Sequence, residues 1–529
     1  MTEHKRTESR NKRTFDNPAK TASRYNKVGI QPTKRPNGSK KSKNQMSKNV
    51  GLFLFGIQGI ASIAFMVTLL ILNMLPVMYL AIIGVLLLLL LGITLATQLT
   101  AKKKGIGGKV FSVIMSLILI MGTFYSGKFN QAVGKISAGD YKVDNMVVAV
   151  LSNDPAETIQ DAQGYNFGVQ YAMGGEDVKT AIAHINEKTG AQVAVSEFPG
   201  LSEQAQALHD GQVQAFVYIE GYTGILDEAF EVYSGIVKII YSHVIKKGVD
   251  NSAAKVEVKN EAFNIFISGI DVYGPIATNS RSDVNIVATV NPSTHQVLLA
   301  TTPRDYYVEI PGVTNGQKDK LTHAGIYGVD ASIQTLNALY DTNIDFYARV
   351  NFTSLIEMID VLGGVDVNSE FAFTTSEDSG LVMDVQQGMN SFNGKEALAF
   401  SRERQNVPGG DNQRGKDQQA VITAMIKKMI SPTMLLNANG IIDSVSGNVE
   451  TNMSPDQIQS LIKTQLSKGG AWNIKSMAAE GEGDSQYCFS YTGKPLYVTQ
   501  PNQASVDAIK TAIKQVENGE TLPESEVAE

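Results

Sequence analysis

The fold is decided by residues 263–305, FNIFISGIDVYGPIATNSRSDVNIVATVNPSTHQVLLATTPRD. This stretch contains three apolar runs, at 263–270, 284–290 and 296–302, and the turn-forming NPSTH separates the last two. The runs predict three consecutive strands, in which the second returns antiparallel to the first and the third runs back beside the second. Strands in this order bring the polar residues between them to a common edge of the sheet.

Two aspartates and two arginines occupy the ends of these predicted strands. Asp271 follows the first strand, Arg281 and Asp283 precede the second, and Arg304 follows the third. Because neighbouring strands run in opposite directions, the end of one lies beside the start of the next. The sequence therefore predicts two carboxylates and two guanidinium groups on one rim of the sheet.

Further polar residues that match this rim occur between 394 and 418. The segment GKEALAFSRER contributes Arg402 and Arg404, which we expect on one side of an extended chain. A predicted helix over 411–429 carries Arg414 and Gln418 four positions apart, on its apolar, core-facing side. Polar side chains at the start of an apolar helix face are expected to point into a pocket, and a buried arginine needs an anionic partner.

This combination of residue types suits the binding of a metal and a phosphate together. Two aspartates can hold Mg²⁺ while water and phosphate oxygens complete its coordination. Arginines bind phosphate through forked, charge-assisted hydrogen bonds. Together they neutralise the charge that develops during phosphoryl transfer. The alternative is a set of ordinary salt bridges at the rim, and the number of arginines predicted in one crevice favours the phosphate site.

The 529 residues divide into regions of very different charge. Residues 1–48 contain 14 basic and three acidic residues, a net charge of +11, whereas 127–529 carries a net charge of −21. Between them lie three apolar stretches without acidic residues, at 50–72, 77–98 and 106–126. Each is close to the ~20 residues that cross a bilayer as a helix. The positive-inside bias places the basic tail and the lysines at 102–104 in the cytoplasm, and everything after about 127 outside the cell membrane.

Two classes of function are disfavoured by composition. The single cysteine, Cys488, excludes an intramolecular disulfide and a cysteine metal cluster. The basic tail is interpreted as a topology determinant that contacts anionic membrane lipid. It has no recognition helix, so no nucleic-acid partner is expected.

The sequence predicts five segments. They are a basic tail at 1–48, three transmembrane helices at 49–127, an extracellular accessory domain at 128–259, an extracellular catalytic domain at 260–520 and an acidic tail at 521–529. The accessory domain alternates strand-like and helical runs and is predicted to be a small α/β unit. Its histidines have no metal-like spacing, and its remaining possible role is to bind a partner or a polymer.

Several short motifs carry a resemblance to a known family. They are Gly269-Ile-Asp271, Arg281-Ser-Asp283, Thr302-Pro-Arg304-Asp305, KLTHA at 320–324, DVLGGVD at 360–366, Ser401-Arg-Glu-Arg404, and Asp411-Asn-Gln-Arg414 with Gln418. In this order, over about 260–500, the set resembles the LytR-CpsA-Psr family. The three-span anchor and the inserted unit at 140–259 resemble its CpsA-type streptococcal branch with an accessory domain.

The resemblance implies an α/β fold in which a mixed central sheet is flanked by helices, with an apolar tunnel for a polyprenyl chain. It implies transfer of a glycopolymer, such as capsular polysaccharide, teichoic acid or another anionic wall polymer, from polyprenyl pyrophosphate to peptidoglycan, with Mg²⁺ or Mn²⁺. By motif position the metal ligands are Asp271 and Asp283, which with Arg304 form the expected catalytic set. The residues expected to bind pyrophosphate are Arg281, Arg304, Lys320, Arg402, Arg404, Arg414 and Gln418.

The sequence departs from the common family pattern at two positions. Ile270 replaces the usual serine, which removes a hydroxyl near the expected metal, and Asp417 stands where many members carry a second arginine. Two other functions remain open. One is a regulatory membrane protein that controls capsule or cell-wall gene expression, and the other is a polyprenyl-pyrophosphate hydrolase that uses the same site when water enters it.

Overall fold

The computed structural model describes residues 38–100, 105–136, 141–171, 174–230, 233–248, 256–270, 276, 278–429, 431 and 449–522. The predicted site residue Asp271, most of the basic tail and the end of the acidic tail lie outside these ranges.

The N-terminal part of the described chain is a bundle of three helices, α1 (Gly38–Leu72), α2 (Val77–Thr100) and α3 (Ile106–Ile136). Their apolar portions, Gln45–Leu72, Val77–Thr100 and Ile106–Lys128, are long and apolar enough to cross a membrane, as the sequence predicts. Between the helices, Thr94 Oγ1 donates to Gln58 Oε1 over 2.9 Å. Polar side chains of this kind hold helices together in lipid, where packing of apolar groups gives little net driving force.

The accessory domain contains β1 (Tyr141–Leu151), β2 (Asn166–Val169), α4 (Gly175–Thr189), β3 (Ala194–Glu197), α5 (Leu201–His209), β4 (Ala215–Ile219), α6 (Thr223–Ala229), α7 (Tyr233–Ile236) and β5 (Val237–Gly248). The strands form one sheet in the order β3-β2-β4-β1-β5. The predicted α/β character is confirmed, and the long edge strand β5 was missed. Its exposed residues alternate with partly buried ones, including Ile239 and Val244 on the exposed side, so its apolar signal is weak.

The catalytic domain begins with β6 (Phe263–Ile270), β7 (Ser282–Asn291), β8 (Gln296–Thr301), β9 (Tyr307–Glu309), β10 (Lys318–Lys320), α8 (Leu321–Ala324), α9 (Val329–Tyr340), β11 (Phe346–Asn351) and α10 (Phe352–Val361). It continues with β12 (Val365–Ser369), β13 (Phe373–Thr374), β14 (Asp384–Val385), β15 (Gly388–Phe392), α11 (Gly394–Arg402), α12 (Asp411–Met429), β16 (Val449–Thr451), α13 (Pro455–Lys468), β17 (Asn473–Ala478), β18 (Gly481–Cys488), β19 (Tyr491–Pro501) and α14 (Gln503–Glu517).

The central sheet of this domain has six strands in the order β16-β11-β6-β7-β8-β17. The pairs β6–β7 and β7–β8 are antiparallel, whereas β11–β6 and β17–β8 are parallel, so the sheet is mixed as expected. Helices α9 and α14 pack on one face against Phe266 and Leu298, and α12 packs on the other against Ile286 and Leu299. The mixed α/β fold with flanking helices is therefore confirmed.

The catalytic and accessory domains share one hydrophobic core. Cys488, Tyr491, Leu496 and Val498 of the β18–β19 hairpin are buried in the same cluster as the accessory sheet. Burial of apolar surface across this boundary stabilises the docked arrangement of the two units. The catalytic domain also rests on the hairpin between α1 and α2, where Ile462 and its neighbours in α13 pack on the end of α1.

A buried ionic cluster joins the same two units on another side. Lys142 of β1 and Arg349 of β11 both form ion pairs with Glu450 of β16, and the Tyr347 hydroxyl donates to the same carboxylate over 2.8 Å. All three charged side chains are less than a tenth exposed. Two buried basic side chains therefore share one carboxylate, and burial, with the nearby charge of Arg349, lowers the pKa of Lys142 to about 6.

Replacement of that carboxylate should be costly. We expect Glu450→Gln to lower the free energy of unfolding by about 3–5 kcal/mol, because it leaves the buried Arg349 guanidinium group without its carboxylate partner. The measurement is thermal or denaturant unfolding of the detergent-solubilised chain. The matched control is Glu176→Gln, which removes the exposed pair with Lys179 and should leave stability close to that of the parent. Equal stability of the two variants would contradict the role assigned to Glu450.

Candidate functional site

A cavity of about 680 Å³ opens at the edge of the central sheet where β6 ends and β7 begins. Apolar side chains line part of it, namely Ile267, Ile270, Val284, Val350, Leu355, Leu398, Val421 and Ile422. The polar lining includes seven of the nine predicted site residues, namely Arg281, Asp283, Arg304, Arg402, Arg404, Arg414 and Gln418. The other two are Asp271, outside the described residues, and Lys320, which is not part of the lining.

Strand order explains how Asp283 and Arg304 come together. Asp283 is the second residue of β7, and Arg304 follows β8 after two intervening positions. Because β7 and β8 are antiparallel neighbours, the start of one lies beside the end of the other. Ile270, the last residue of β6, pairs with Ser282, so this end of β6 lies beside the start of β7.

The Asp283 carboxylate is held by two donors. Its Oδ2 lies 2.6 Å from Arg304 Nη1, and its Oδ1 accepts a hydrogen bond of 3.0 Å from Thr322 Oγ1. Burial by itself raises the pKa of this carboxyl, but Arg304, Arg281, Arg414 and the Thr322 hydroxyl outweigh burial and hold the pKa well below its usual range. Asp283 is therefore ionised at neutral pH.

The structure places Lys320 behind the cavity wall and not in the lining, and its expected role in pyrophosphate binding stays a prediction. Its side chain is 1% exposed and forms ion pairs with Asp305, at 3.3 Å from Oδ1, and with Glu228 of the accessory domain. A buried ammonium group needs such carboxylates, and here they hold it beneath the lining. Lys320 thus acts through its partners, both of which line the cavity.

Helix α12 delivers its polar residues as its periodicity predicts. It spans Asp411–Met429, and Arg414, Gln418, Val421 and Ile422 all line the cavity. Its remaining apolar residues pack into the adjacent core. The phase of the helix therefore brings a guanidinium group and an amide into the same cavity lining as Asp283.

The expectation of an extended chain through Arg402 and Arg404 is wrong. Residues Gly394–Arg402 form α11, whose first turn carries a capping box between Asn393 and Glu396. After Arg402 the chain leaves the helix, so both arginines still line the cavity. Arg404 is exposed and lies on the open side of the site.

Sequence reasoning missed Glu403, although it lies between these two arginines. Its buried carboxylate accepts hydrogen bonds from the backbone N–H groups of Ser376, Arg404, Gln405 and Asn406. Burial raises the pKa of Glu403, but these N–H groups outweigh burial and hold the pKa below its ordinary value. The carboxylate fixes the loop that carries Arg404. An acidic residue between two site arginines was the available signal.

The departure at Asp417 does not place a carboxylate in the cavity. Asp417 is buried and its Oδ1 accepts a hydrogen bond of 3.1 Å from Gln413 Nε2 on the preceding turn. Burial, reinforced by the nearby charge of Glu370, raises the pKa of Asp417 to about 7. This side chain is not part of the cavity lining.

The cavity residues fit a divalent cation by their donor chemistry. Asp283 supplies an ionised carboxylate that lines the cavity next to arginines. Among the described ranges no group of three or more His, Cys, Asp or Glu residues is arranged as a metal cluster. Mg²⁺ does not require one, because one or two carboxylates, water and substrate phosphates commonly complete its octahedron.

Comparison with known proteins agrees with the motifs. Residues 233–515, more than half of the chain, match the LytR_cpsA_psr family. The chain belongs to the LytR-CpsA-Psr family. The polyisoprenyl-teichoic acid–peptidoglycan teichoic acid transferase TagU of Oceanobacillus iheyensis is 35% identical over 234 residues, 43% of this chain and 69% of that protein. TagU of Enterococcus faecalis is 34% identical over 233 residues, 44% of this chain and 74% of that protein.

The crystal structure of TagV from B. subtilis is also similar, with 27% identity and a TM-score of 0.42 over 50% of this chain and 100% of that chain. The family match includes all nine of the predicted site residues and begins before the predicted boundary at 260.

The buried carboxyl of Asp417 predicts a pH-dependent stability. Below about pH 4 both the folded and unfolded chains hold this proton, and above it the unfolded chain releases the proton first. The free energy of unfolding therefore falls as pH rises from about 4 to about 7. Above pH 7 the folded chain holds the buried carboxylate ionised, and the full destabilisation remains. We expect Asp417→Asn to remove this cost and to be more stable than the parent at pH 8, by at most about 4 kcal/mol.

Thermal unfolding at pH 5 and pH 8 measures this difference. The control is Asp507→Asn, because Asp507 accepts from Gln503 across the same helical spacing at an exposed position. The Asp417 variant should gain stability over the parent between the two pH values, and the Asp507 variant should not. A parent and an Asp417 variant with parallel pH dependence would show that the buried carboxyl is not protonated.

Proposed function

We propose that this chain is a membrane-anchored phosphotransferase that moves a glycopolymer from a polyprenyl-pyrophosphate carrier to peptidoglycan. The observation that supports it most strongly is a cavity whose lining combines five arginines, an ionised aspartate and a set of apolar side chains. Family membership and the names of the TagU relatives support the same reaction. The polymer we propose is an anionic wall polymer, teichoic acid or capsular polysaccharide.

The two parts of the lining match the two parts of such a donor. Guanidinium groups bind phosphate oxygens through forked hydrogen bonds, and the arginines approach from β7, β8, α11 and α12. The apolar residues lie on the sheet and on α10, α11 and α12, where an isoprenoid chain can displace water. A soluble nucleotide would leave this apolar surface unused.

The reaction transfers a phosphoryl group to a hydroxyl of peptidoglycan. The hydroxyl oxygen attacks the phosphorus that bears the polymer, the bond from that phosphorus to the bridging oxygen breaks, and polyprenyl phosphate leaves with the bridging oxygen. The hydroxyl proton passes to water at the open side of the cavity. Arg304 and its neighbours stabilise the charge on the transferring group, which is the main contribution a protein makes to this chemistry.

Asp283 is suited to electrostatic and metal-binding roles rather than to proton abstraction. Its pKa is held low by the surrounding arginines, so it is a weak base at neutral pH. We propose that Asp283, together with Asp271, holds Mg²⁺ or Mn²⁺. Such an ion would neutralise phosphate charge in the transition state.

The positive-inside bias supports a topology with a cytoplasmic N-terminus and the domains after about 127 outside the membrane. Outside the cell, a lipid-linked pyrophosphate is a more available donor than a nucleotide. The regulatory alternative depends on the basic tail, and residues 1–37 lie outside the described residues.

The function is tested with the full chain in lipid nanodiscs, a polyprenyl-pyrophosphate-linked oligosaccharide and peptidoglycan fragments. We expect a covalently joined product. Arg304→Ala should lower kcat/KM by about 10²–10³-fold, because it removes a charge-stabilising donor. Lys179→Ala, which removes an exposed accessory-domain lysine, is the control and should retain full activity. Release of free sugar phosphate by the unmodified chain, with no joined product, would replace transfer by hydrolysis.

Metal dependence is a separate prediction. Treatment with EDTA followed by dialysis should abolish transfer, and added Mg²⁺ or Mn²⁺ should restore it. Binding of Mn²⁺ to the resting protein, measured by electron paramagnetic resonance, should be lost in Asp283→Asn. Full transfer after metal removal would show the metal proposal to be wrong while leaving the transferase proposal in place.

A further inference from the structure

We propose that helix α6 of the accessory domain forms part of the phosphate-binding site. Its Gly224 and Glu228 position two cations of the catalytic domain, Arg281 and Lys320. This inference rests on the proposed diphosphate-linked donor. It assigns the accessory domain a role in donor binding. Gly224, Asp227 and Glu228 all lie in the cavity lining together with the arginines.

The Arg281 guanidinium group packs directly against Gly224, in the space that a side chain at this position would occupy. A Cβ atom built at Gly224 would lie 2.5 Å from Cζ of Arg281, 2.7 Å from Nε and 2.8 Å from Nη1. Real side chains do not approach this closely, so any larger residue at 224 must displace the guanidinium group. Because Arg281 is long and flexible, it can move without unfolding the protein. The residue at 224 therefore controls where Arg281 lies in the cavity.

Glu228, one turn further along α6, begins a chain of alternating charges that reaches the ion pair between Arg304 and Asp283. Glu228 binds the Lys320 ammonium group, which also lies 3.3 Å from Asp305 Oδ1. Asp305 Oδ2 lies 3.5 Å from Arg304 Nε, and Arg304 binds Asp283. The backbone reinforces this path, because Thr322 N donates to the carbonyl oxygen of Arg304 over 2.8 Å.

The balance of charge explains why Glu228 matters. Lys320 is almost fully buried and has two carboxylate partners among the described residues. Without Glu228 the ammonium group depends on Asp305 alone, and the closer pairing draws Asp305 away from Arg304. Glu228 is thus a positioning residue for Arg304, because it acts through Lys320 and Asp305.

Packing against the hydrophobic core fixes the position of helix α6. Ile225, Leu226 and Ala229 are buried in the core that the accessory domain shares with the β18–β19 hairpin. The ring of Phe230, which follows α6, meets Tyr491 of that hairpin edge to face, with centroids 6.1 Å apart. The catalytic domain thereby fixes the helix that in turn orders its cations.

The first test uses Gly224→Ala and a double-mutant cycle with Arg281→Ala. Affinity for geranylgeranyl pyrophosphate, a short polyprenyl pyrophosphate, is measured by calorimetry on the full chain in detergent. We expect Gly224→Ala to weaken binding about 10-fold, as for loss of one charge-assisted hydrogen bond. In the Arg281→Ala background the same change should have no further effect, because the displaced group is absent.

The control is Gly164→Ala, an accessory-domain glycine with open space around its Cβ position, which should bind as the unmodified chain does. Equal affinity of Gly224→Ala and Gly164→Ala would overturn the proposal. So would full additivity with Arg281→Ala, since the loss would then come from a general disturbance of the fold.

The second test addresses Glu228. We expect Glu228→Gln to weaken binding of the same probe and to lower kcat of transfer about 10-fold, while the exposed-pair control Glu176→Gln changes neither. Addition of Lys320→Met to Glu228→Gln removes the uncompensated cation and should restore most of the affinity. Unchanged affinity in Glu228→Gln, or no recovery in the double variant, would contradict the positioning role.

The transferase proposal and the proposed role of α6 can fail separately. If the unmodified chain binds the probe but makes no joined product, the transferase proposal fails while the role of α6 in binding is still measured. If transfer proceeds and neither α6 variant affects probe binding or turnover, the proposed function stands and the accessory-domain inference fails.

Discussion

The ion pair between Asp283 and Arg304 is the contact around which the site is organised. It joins the start of β7 to the end of β8, and it requires those strands to be antiparallel neighbours in the sheet. Arg281 and Arg414 add their charge to the same carboxylate from two other directions. Cations gathered this closely repel one another, so the arrangement depends on carboxylates inside it and favours an anionic ligand beside it.

The accessory domain is part of this electrostatic arrangement. Its α6 reaches the cavity, and its core includes the hairpin of the catalytic domain. The buried cluster around Glu450 joins the same units at a second place. Two contacts on different sides resist rotation of one domain against the other. The position of Lys320 and Arg281 therefore depends on an inserted unit in which the sequence shows no chemistry.

Much of the catalytic fold was predictable from the sequence because it follows local rules. Alternating apolar runs and a short turn predict β6, β7 and β8, and helical spacing predicts the face of α12 that carries Arg414 and Gln418. The extended chain predicted at Arg402 failed, because the capping box at Asn393 starts a helix. The position of Lys320 behind the cavity lining was not predictable from the sequence. Its partner Glu228 is 92 positions away, and no periodicity in either segment indicates such a contact.

The most direct test is a crystal structure of the chain with geranylgeranyl pyrophosphate and Mn²⁺, read through the anomalous signal of the metal. We expect a metal peak at coordination distance from Asp283, and a diphosphate within hydrogen-bond distance of Arg304 and Arg414. The isoprenoid chain should follow the apolar lining beside Val421. A diphosphate bound elsewhere, or a metal peak with no contact to Asp283, would contradict the central claim.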